Sequence, residues 1–248
     1  MKRTALIVGY GGEKGKKGYL PGVAEDISGW EAFLKSPLGG AWEASEINVL
    51  VAPSELLLDL YLALAKNSEY VFVAFTGHGA LSSDGKDTLL QINSSTSFSA
   101  RKLEVADRQC IVLDCCREPV EKQLKEAFEH IAAASSGTPF PHPHLARQAF
   151  DDAVMRCSEM TLIAHSCDVN ELSYDERFER GGLYTYSLFE VMRDWGKVQP
   201  RQPAYARSYS LEDAHEAAKI LVTEEQRKQH PKLTKPRSGA YLPMCVWV

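Results

Sequence analysis

Short apolar runs alternate with segments of helical periodicity along this chain, and each run ends in glycine or polar residues. Thr4–Tyr10 is apolar and partly β-branched, and it runs into glycines. Asp26–Lys35 carries Ile27, Trp30, Phe33 and Leu34 at helical spacing. Ile47–Val51 reads as a second strand, and Pro53–Ser54 opens a leucine-rich helix through Ala65. Tyr70–Phe75 is apolar throughout, as expected of a strand covered on both faces. Cys110–Leu113 and Met160–Ala164 repeat the strand pattern, and helices are predicted over Leu183–Trp195 and Leu211–Gln229. Tyr241–Val248 closes the chain as a sixth strand. Strands alternating with helices predict an α/β fold, a mainly parallel six-stranded sheet flanked by helices.

One stretch breaks this rhythm. Glu118–Cys157 reads as a helical insertion: a helix over Val120–Ala134, an exposed connection over Ser135–His144 rich in Ser, Gly, Pro and His, then a second helix. With no internal repeat and no composition break, residues 1–248 are expected to form a single domain.

Composition narrows the class. A net charge of −5 without a long basic run gives no reason to expect nucleic acid or an anionic membrane as partner. Apolar runs stay far below the roughly 20 residues needed to span a bilayer. The basic start MKRTALIVGY is not read as a signal peptide, because its apolar stretch ends at Val8. Six cysteines without an export signal fit a reduced, cytoplasmic setting better than a disulfide framework. No Cys-x-x-Cys pair occurs and His142 and His144 lie in a proline-rich loop, so neither a metal nor a cofactor is expected.

In open α/β sheets the working crevice lies beyond the carboxyl ends of the strands. Three segments fall there. Gly9-Tyr-Gly-Gly-Glu-Lys-Gly15 invites a nucleotide reading, but Lys14 stands where a dinucleotide motif needs glycine. Tyr10 and Lys17 likewise break a phosphate loop ending at Gly15-Lys16. Thr76-Gly-His-Gly79 and Asp114-Cys-Cys116 follow the third and fourth strands. If those strands are neighbours, His78 faces a cysteine across the crevice, the pairing a thiol nucleophile requires. Either cysteine could serve on that ground. Alternation along a strand favours Cys116, which shares a face with Asp114 while Cys115 points away.

Phe72-Val-Ala-Phe-Thr-Gly-His-Gly79 followed by Ile111-Val-Leu-Asp-Cys-Cys116 resembles the two catalytic motifs of the caspase and metacaspase superfamily. Leu20-x-Gly22-x-x-x-Asp26 is similar to that family's motif after the first strand. Gly182-Leu-Tyr-Thr-Tyr-Ser-Leu-Phe-Glu-Val-Met192 resembles its helix after the fifth. The resemblance implies a caspase-like three-layer sandwich. It implies Cys116 as nucleophile, His78 as its partner, and an oxyanion hole from the N–H groups of Gly79 and Cys116. Asp-Cys-Cys replaces the Gln-Ala-Cys of caspases that cut after aspartate. By position Asp26, Thr76 and Asp114 then line the pocket for the residue before the cut, and two carboxylates there favour Lys or Arg. Asp168 and Glu171 are further candidates for an acidic rim.

The chain departs from metacaspases after the nucleophile, where Arg117-Glu118-Pro119 replaces the usual His-Ser-Gly, and it shows no acid cluster of a calcium site. The reading is therefore a cysteine endopeptidase acting on protein or peptide substrates. The resemblance implies switching by a protein partner or by processing, with Arg147 and Arg156 as self-cleavage sites, in a bacterial defence or cell-death role. The alternative is a catalytically silent caspase-like module that binds and regulates a partner.

Overall fold

The computed structural model describes residues 1–118, 142–175, 181–201 and 203–248. In chain order the elements are β1 (Arg3–Tyr10), α1 (Gly22–Lys35), β2 (Ile47–Val51), α2 (Glu55–Ala65), β3 (Tyr70–Gly77), β4 (Gly79–Leu81), β5 (Thr88–Gln91), β6 (Ser97–Ser99) and β7 (Arg108–Asp114). Then come α3 (Pro143–Arg156), β8 (Met160–His165), α4 (Leu183–Lys197), β9 (Arg207–Ser210), α5 (Leu211–Glu225), β10 (Lys232–Thr234) and β11 (Pro243–Trp247).

Six strands form the central sheet in the order β10-β8-β7-β3-β1-β2. All neighbours run parallel except β10, which pairs antiparallel with β8. Strand alternation divides the apolar residues between two cores. Ala5 and Ile7 of β1, Tyr70, Phe72 and Ala74 of β3, and Cys110 and Val112 of β7 face a layer containing Trp30, Phe150, Tyr184 and Leu211. Leu6, Val8, Val71, Val73, Phe75, Ile111 and Leu113 face the other way, onto Leu58 and Leu62 of α2 and onto Leu90, Ile92 and Phe98. The result is the mainly parallel three-layer α/β arrangement expected, and it explains why β3 and β7 read as unbroken apolar runs.

The sixth strand of that sheet is not the one anticipated. Tyr241–Val248 was expected to complete it, but Pro243–Trp247 pairs instead with β9 in a separate two-stranded sheet. The sheet edge is the short β10, hydrogen-bonded at Lys232↔His165 and Thr234↔Ile163. The small sheet β4-β5-β6 was not foreseen, and α5 stops at Glu225 rather than continuing to Gln229. The helix expected over Val120–Ala134, and residues 135–141 of the connection after it, lie outside the described residues. His142 is the N-cap of α3, with Pro143 in its first turn.

At the amino ends of the strands Arg3 is buried at 3% exposure and ties three segments together. Its guanidinium donates to Asp151 Oδ1 at 3.0 Å and to the carbonyls of Gly40 and Ala41 at 2.9 and 3.1 Å. It also lies 4.5 Å from the centroid of the Trp42 ring. Removing a buried cation strands its partners. Arg3→Ala should lower the unfolding free energy by about 3 kcal/mol in urea titrations, without moving the opposite end of the sheet, where the candidate site lies.

Candidate active site

β3 and β7 are parallel neighbours, and their register sets Thr76 opposite Asp114. Two residues further along each strand stand His78 and Cys116, so the pairing carries both beyond the carboxyl end of the sheet side by side. Their segments are in close contact. A Cβ placed on Gly79 would lie 2.6 Å from Cys115 Sγ and 2.8 Å from the Cys116 carbonyl oxygen, so no larger residue fits there.

Alternation separates the two cysteines. Cys115 belongs to the core beneath α2 and is 3% exposed. Its N–H donates to Ser166 Oγ and its carbonyl accepts from the same hydroxyl. Of the six cysteines Cys116 alone is not buried.

His78 Nε2 lies 2.6 Å from the carbonyl oxygen of Gly18. A carbonyl only accepts, so Nε2 is the donor, and in the neutral ring Nδ1 is the nitrogen with the free lone pair. Cys116 Sγ is held by the backbone of Ser173, whose N–H points to it at 3.4 Å and whose carbonyl accepts from it at 3.6 Å. Desolvation pushes the Cys116 thiol up to about 11, against the smaller opposing pull of the Ser173 N–H. The resting thiol is therefore neutral at pH 7.

Beneath this pair lie the carboxylates. Asp26 is 1% exposed; it accepts from Thr76 Oγ1 at 2.5 Å and from the Gly182 N–H at 3.0 and 3.1 Å. Asp114 is 5% exposed and accepts from Ser173 Oγ at 2.7 Å, from the Thr185 N–H at 2.9 Å and from Thr185 Oγ1 at 2.8 Å. The start of α4 fits between them because it is glycine. Gly181 has φ +105°, and a Cβ there would lie 2.0 Å from Asp26 Oδ1; one on Gly182 would lie 2.3 Å from Asp114 Oδ2. Asp175 adds a third carboxylate at the surface, bridged to Gly182 through an antiparallel backbone pair. Every donor to Asp26 and Asp114 named here is a neutral group, and among the described residues no Lys or Arg pairs with any of the three.

Burial and then the charge of Asp114 hold the Asp26 carboxyl well above the usual carboxylate range. Desolvation and the same Asp114 charge push Asp175 up to about 6.

Asp26, Thr76, Asp114, His78, Gly79 and Cys116 are thus gathered at one end of the sheet. Asp168 and Glu171 are engaged elsewhere: Asp168 pairs with Lys232 at 3.1 Å, and Glu171 with the His230 ring at 2.6 Å and its N–H at 2.8 Å. Arg117 anchors the segment that departs from the metacaspase pattern. Its N–H donates to the Glu171 carbonyl, its side chain to Thr88 Oγ1 and the Cys167 carbonyl, and its own carbonyl accepts from Asn170. The sequence reading did not single out Asp175, Ser173 or Gly18. The first is one acid in a polar loop, Gly18 acts through its carbonyl, and Ser173 acts through its backbone on Cys116 and its hydroxyl on Asp114, so no local side-chain pattern marks them.

The profile described as Caspase domain matches residues 2–240. The chain belongs to the caspase-domain family. Among solved structures, this caspase-domain chain resembles a protein from Geobacter sulfurreducens, with a TM-score of 0.61 and 17% identity over 98% of this chain and 97% of that one. Caspase-1 from Spodoptera frugiperda gives 0.57 and 14% over 94% and 86%, and the Drosophila initiator caspase Dronc gives 0.55 and 11% over 98% and 81%. At these identities the likeness establishes the fold. No curated protein sequence matches the chain. Among the described residues, no helix is long and apolar enough to cross a membrane.

The carboxylate cluster has a measurable signature. A carboxyl whose folded pKa is raised binds its proton more tightly folded than unfolded, so its ionisation removes stability as pH rises above the unfolded value of about 4. The melting temperature of wild type relative to Asp26→Asn should therefore fall steadily as pH rises from about 4. Lost hydrogen bonds shift the two curves by a constant, whereas the charge sets the slope. A difference independent of pH would rule out a raised Asp26.

Proposed function

We propose that this caspase-domain protein is a cysteine endopeptidase that cuts after Lys or Arg, with Cys116 as nucleophile and His78 as its acid–base partner. One observation supports the specificity: the Asp26 and Asp114 carboxylates meet at Gly182, that of Asp175 lies beside Gly22, and among the described residues none of the three has a cationic partner. A guanidinium or ammonium group entering there supplies the missing charge, and it would draw protons off Asp26 and Asp175 as it binds. An aspartate side chain would instead add negative charge beside Asp114.

In this mechanism His78 Nδ1 takes the Cys116 proton as Sγ attacks the carbonyl carbon of the bond to be cut. The N–H groups of Gly79 and Cys116 receive the negative charge that develops on the carbonyl oxygen. When the C–N bond breaks, His78 returns the proton to the leaving amine and the acyl group stays on sulfur as a thioester. Water then attacks the thioester, giving a proton to Nδ1, and the released Cys116 sulfur takes that proton back. Through Nε2–H, Gly18 keeps the ring in the tautomer both steps require. The substrate would lie extended, its backbone pairing with a strand edge.

The neutral thiol and the position of Ser173 favour a protein switched on by a partner or by processing. Ser173 contacts both Cys116 Sγ and Asp114, so it must move before a long basic side chain reaches the carboxylates. Self-cleavage at Arg147 or Arg156 is disfavoured. Both lie within α3, and Arg147 is paired with Glu46 at 2.5 Å, whereas a peptidase needs an extended strand.

Wild type, Cys116→Ala and His78→Ala should be compared on fluorogenic peptides ending in Arg, Lys or Asp. Cleavage after Arg or Lys should fall to background in Cys116→Ala and by at least about a hundredfold in His78→Ala. Cleavage after Asp would contradict the acidic pocket. Folded protein inert towards all three peptides, even after incubation with a lysate of its source cells, would favour the silent regulatory module.

A further inference from the structure

The side of His78 away from Cys116 is also built. In the sheet, β3 lies between β7, which ends two residues before Cys116, and β1, which runs into the loop over residues 11–21. That loop returns over His78 through Gly18 and leaves a cavity of about 220 Å³ with His78 in its wall. The rest of the lining includes Lys16, Lys17 and Glu13 from the loop, and Gln91 and Ser94 from the β5–β6 side. Gln91 is fixed against the site, since its N–H donates to the His78 carbonyl at 2.9 Å. Neither Lys16 nor Lys17 enters an ion pair with another described residue.

The two flanks of the His78–Cys116 pair therefore carry opposite charge. Asp26 and Asp114 lie on the sheet face covered by α1 and α4. The lysine-lined cavity lies towards the opposite face, where Leu90 and Ile92 of the β5–β6 hairpin pack. His78 must protonate the leaving amine, so the residues after the cut begin at His78 and continue towards this cavity. We infer that it is the subsite for the first residues after the cut and that Lys16 and Lys17 select an acidic side chain there. This rests on the peptidase reading above. The preferred substrate would then be a basic residue followed by an acidic one, a charge sequence read by an acidic pocket and a basic pocket on either side of one bond.

The test uses internally quenched peptides sharing one arginine before the bond and carrying either Asp-Glu or Lys-Lys after it. With wild type, kcat/KM should favour the acidic peptide by about fivefold, the scale of an exposed ion pair. In the double variant Lys16→Glu/Lys17→Glu that ratio should fall to one or below. A wild-type ratio near one, or a ratio the double variant leaves unchanged, overturns the inference. Binding of the same two peptides to Cys116→Ala protein, read by fluorescence anisotropy, separates this claim from the peptidase reading. A preference for the acidic peptide that charge reversal removes supports the subsite even if wild type cleaves neither peptide. Equal binding of the two overturns it.

Discussion

Everything at the site depends on one ladder, the parallel pairing of β3 with β7. Its register sets Thr76 against Asp114 and therefore His78 against Cys116. It also decides the faces. Phe72, Ala74 and Thr76 of one strand and Cys110, Val112 and Asp114 of the other point towards α1 and α4, so the polar ends of two apolar rows meet at the same helix starts. A slip of one residue would send Asp114 into the core beneath α2 and turn Cys115 towards α1 and α4 in its place. Because both faces of the sheet are buried, the apolar pattern on either side forbids that slip.

That geometry gathers carboxyl groups where solvent is scarce. Among the described residues, Asp26 and Asp114 are kept in place by backbone N–H groups and hydroxyls, neutral donors that orient the carboxyl groups without supplying a counter-charge. In the proposed reading this arrangement disfavours an empty pocket and favours a cationic occupant, unlike a structural ion pair. Arg3 at the other end of the sheet shows the contrast. There a buried charge meets Asp151 and Glu46 directly, and nothing is left for a ligand to supply.

Much of this was legible in the sequence, for physical reasons. The strands of the central sheet buried on both faces are long apolar runs, and no helix-period pattern competes with them. The glycines around His78 and the Asp-Cys-Cys step stand where such runs end, which marks them as crevice residues. What escaped notice is equally explicable. β4, β5 and β6 are three or four residues each, with Ser, Thr and Gln among them, too short for a period to register. The edge strand Lys-Leu-Thr carries one apolar residue, since an edge needs little cover, while the apolar Pro243–Trp247 looked like the better sixth strand. Within the site, Asp26 and Asp114 were found through motif positions. Asp175 was missed because only tertiary contact places it beside Gly182.

The central claim is that an acidic pocket presents a basic side chain to Cys116 and to no other cysteine. It is tested most directly by mass spectrometry after exposure to peptides ending in an arginyl or an aspartyl chloromethyl ketone. The account predicts a single adduct from the arginyl peptide on Cys116, with the other five cysteines unmodified and little labelling by the aspartyl peptide. Equal labelling by both peptides, or an adduct on Cys115 or Cys167, would contradict it.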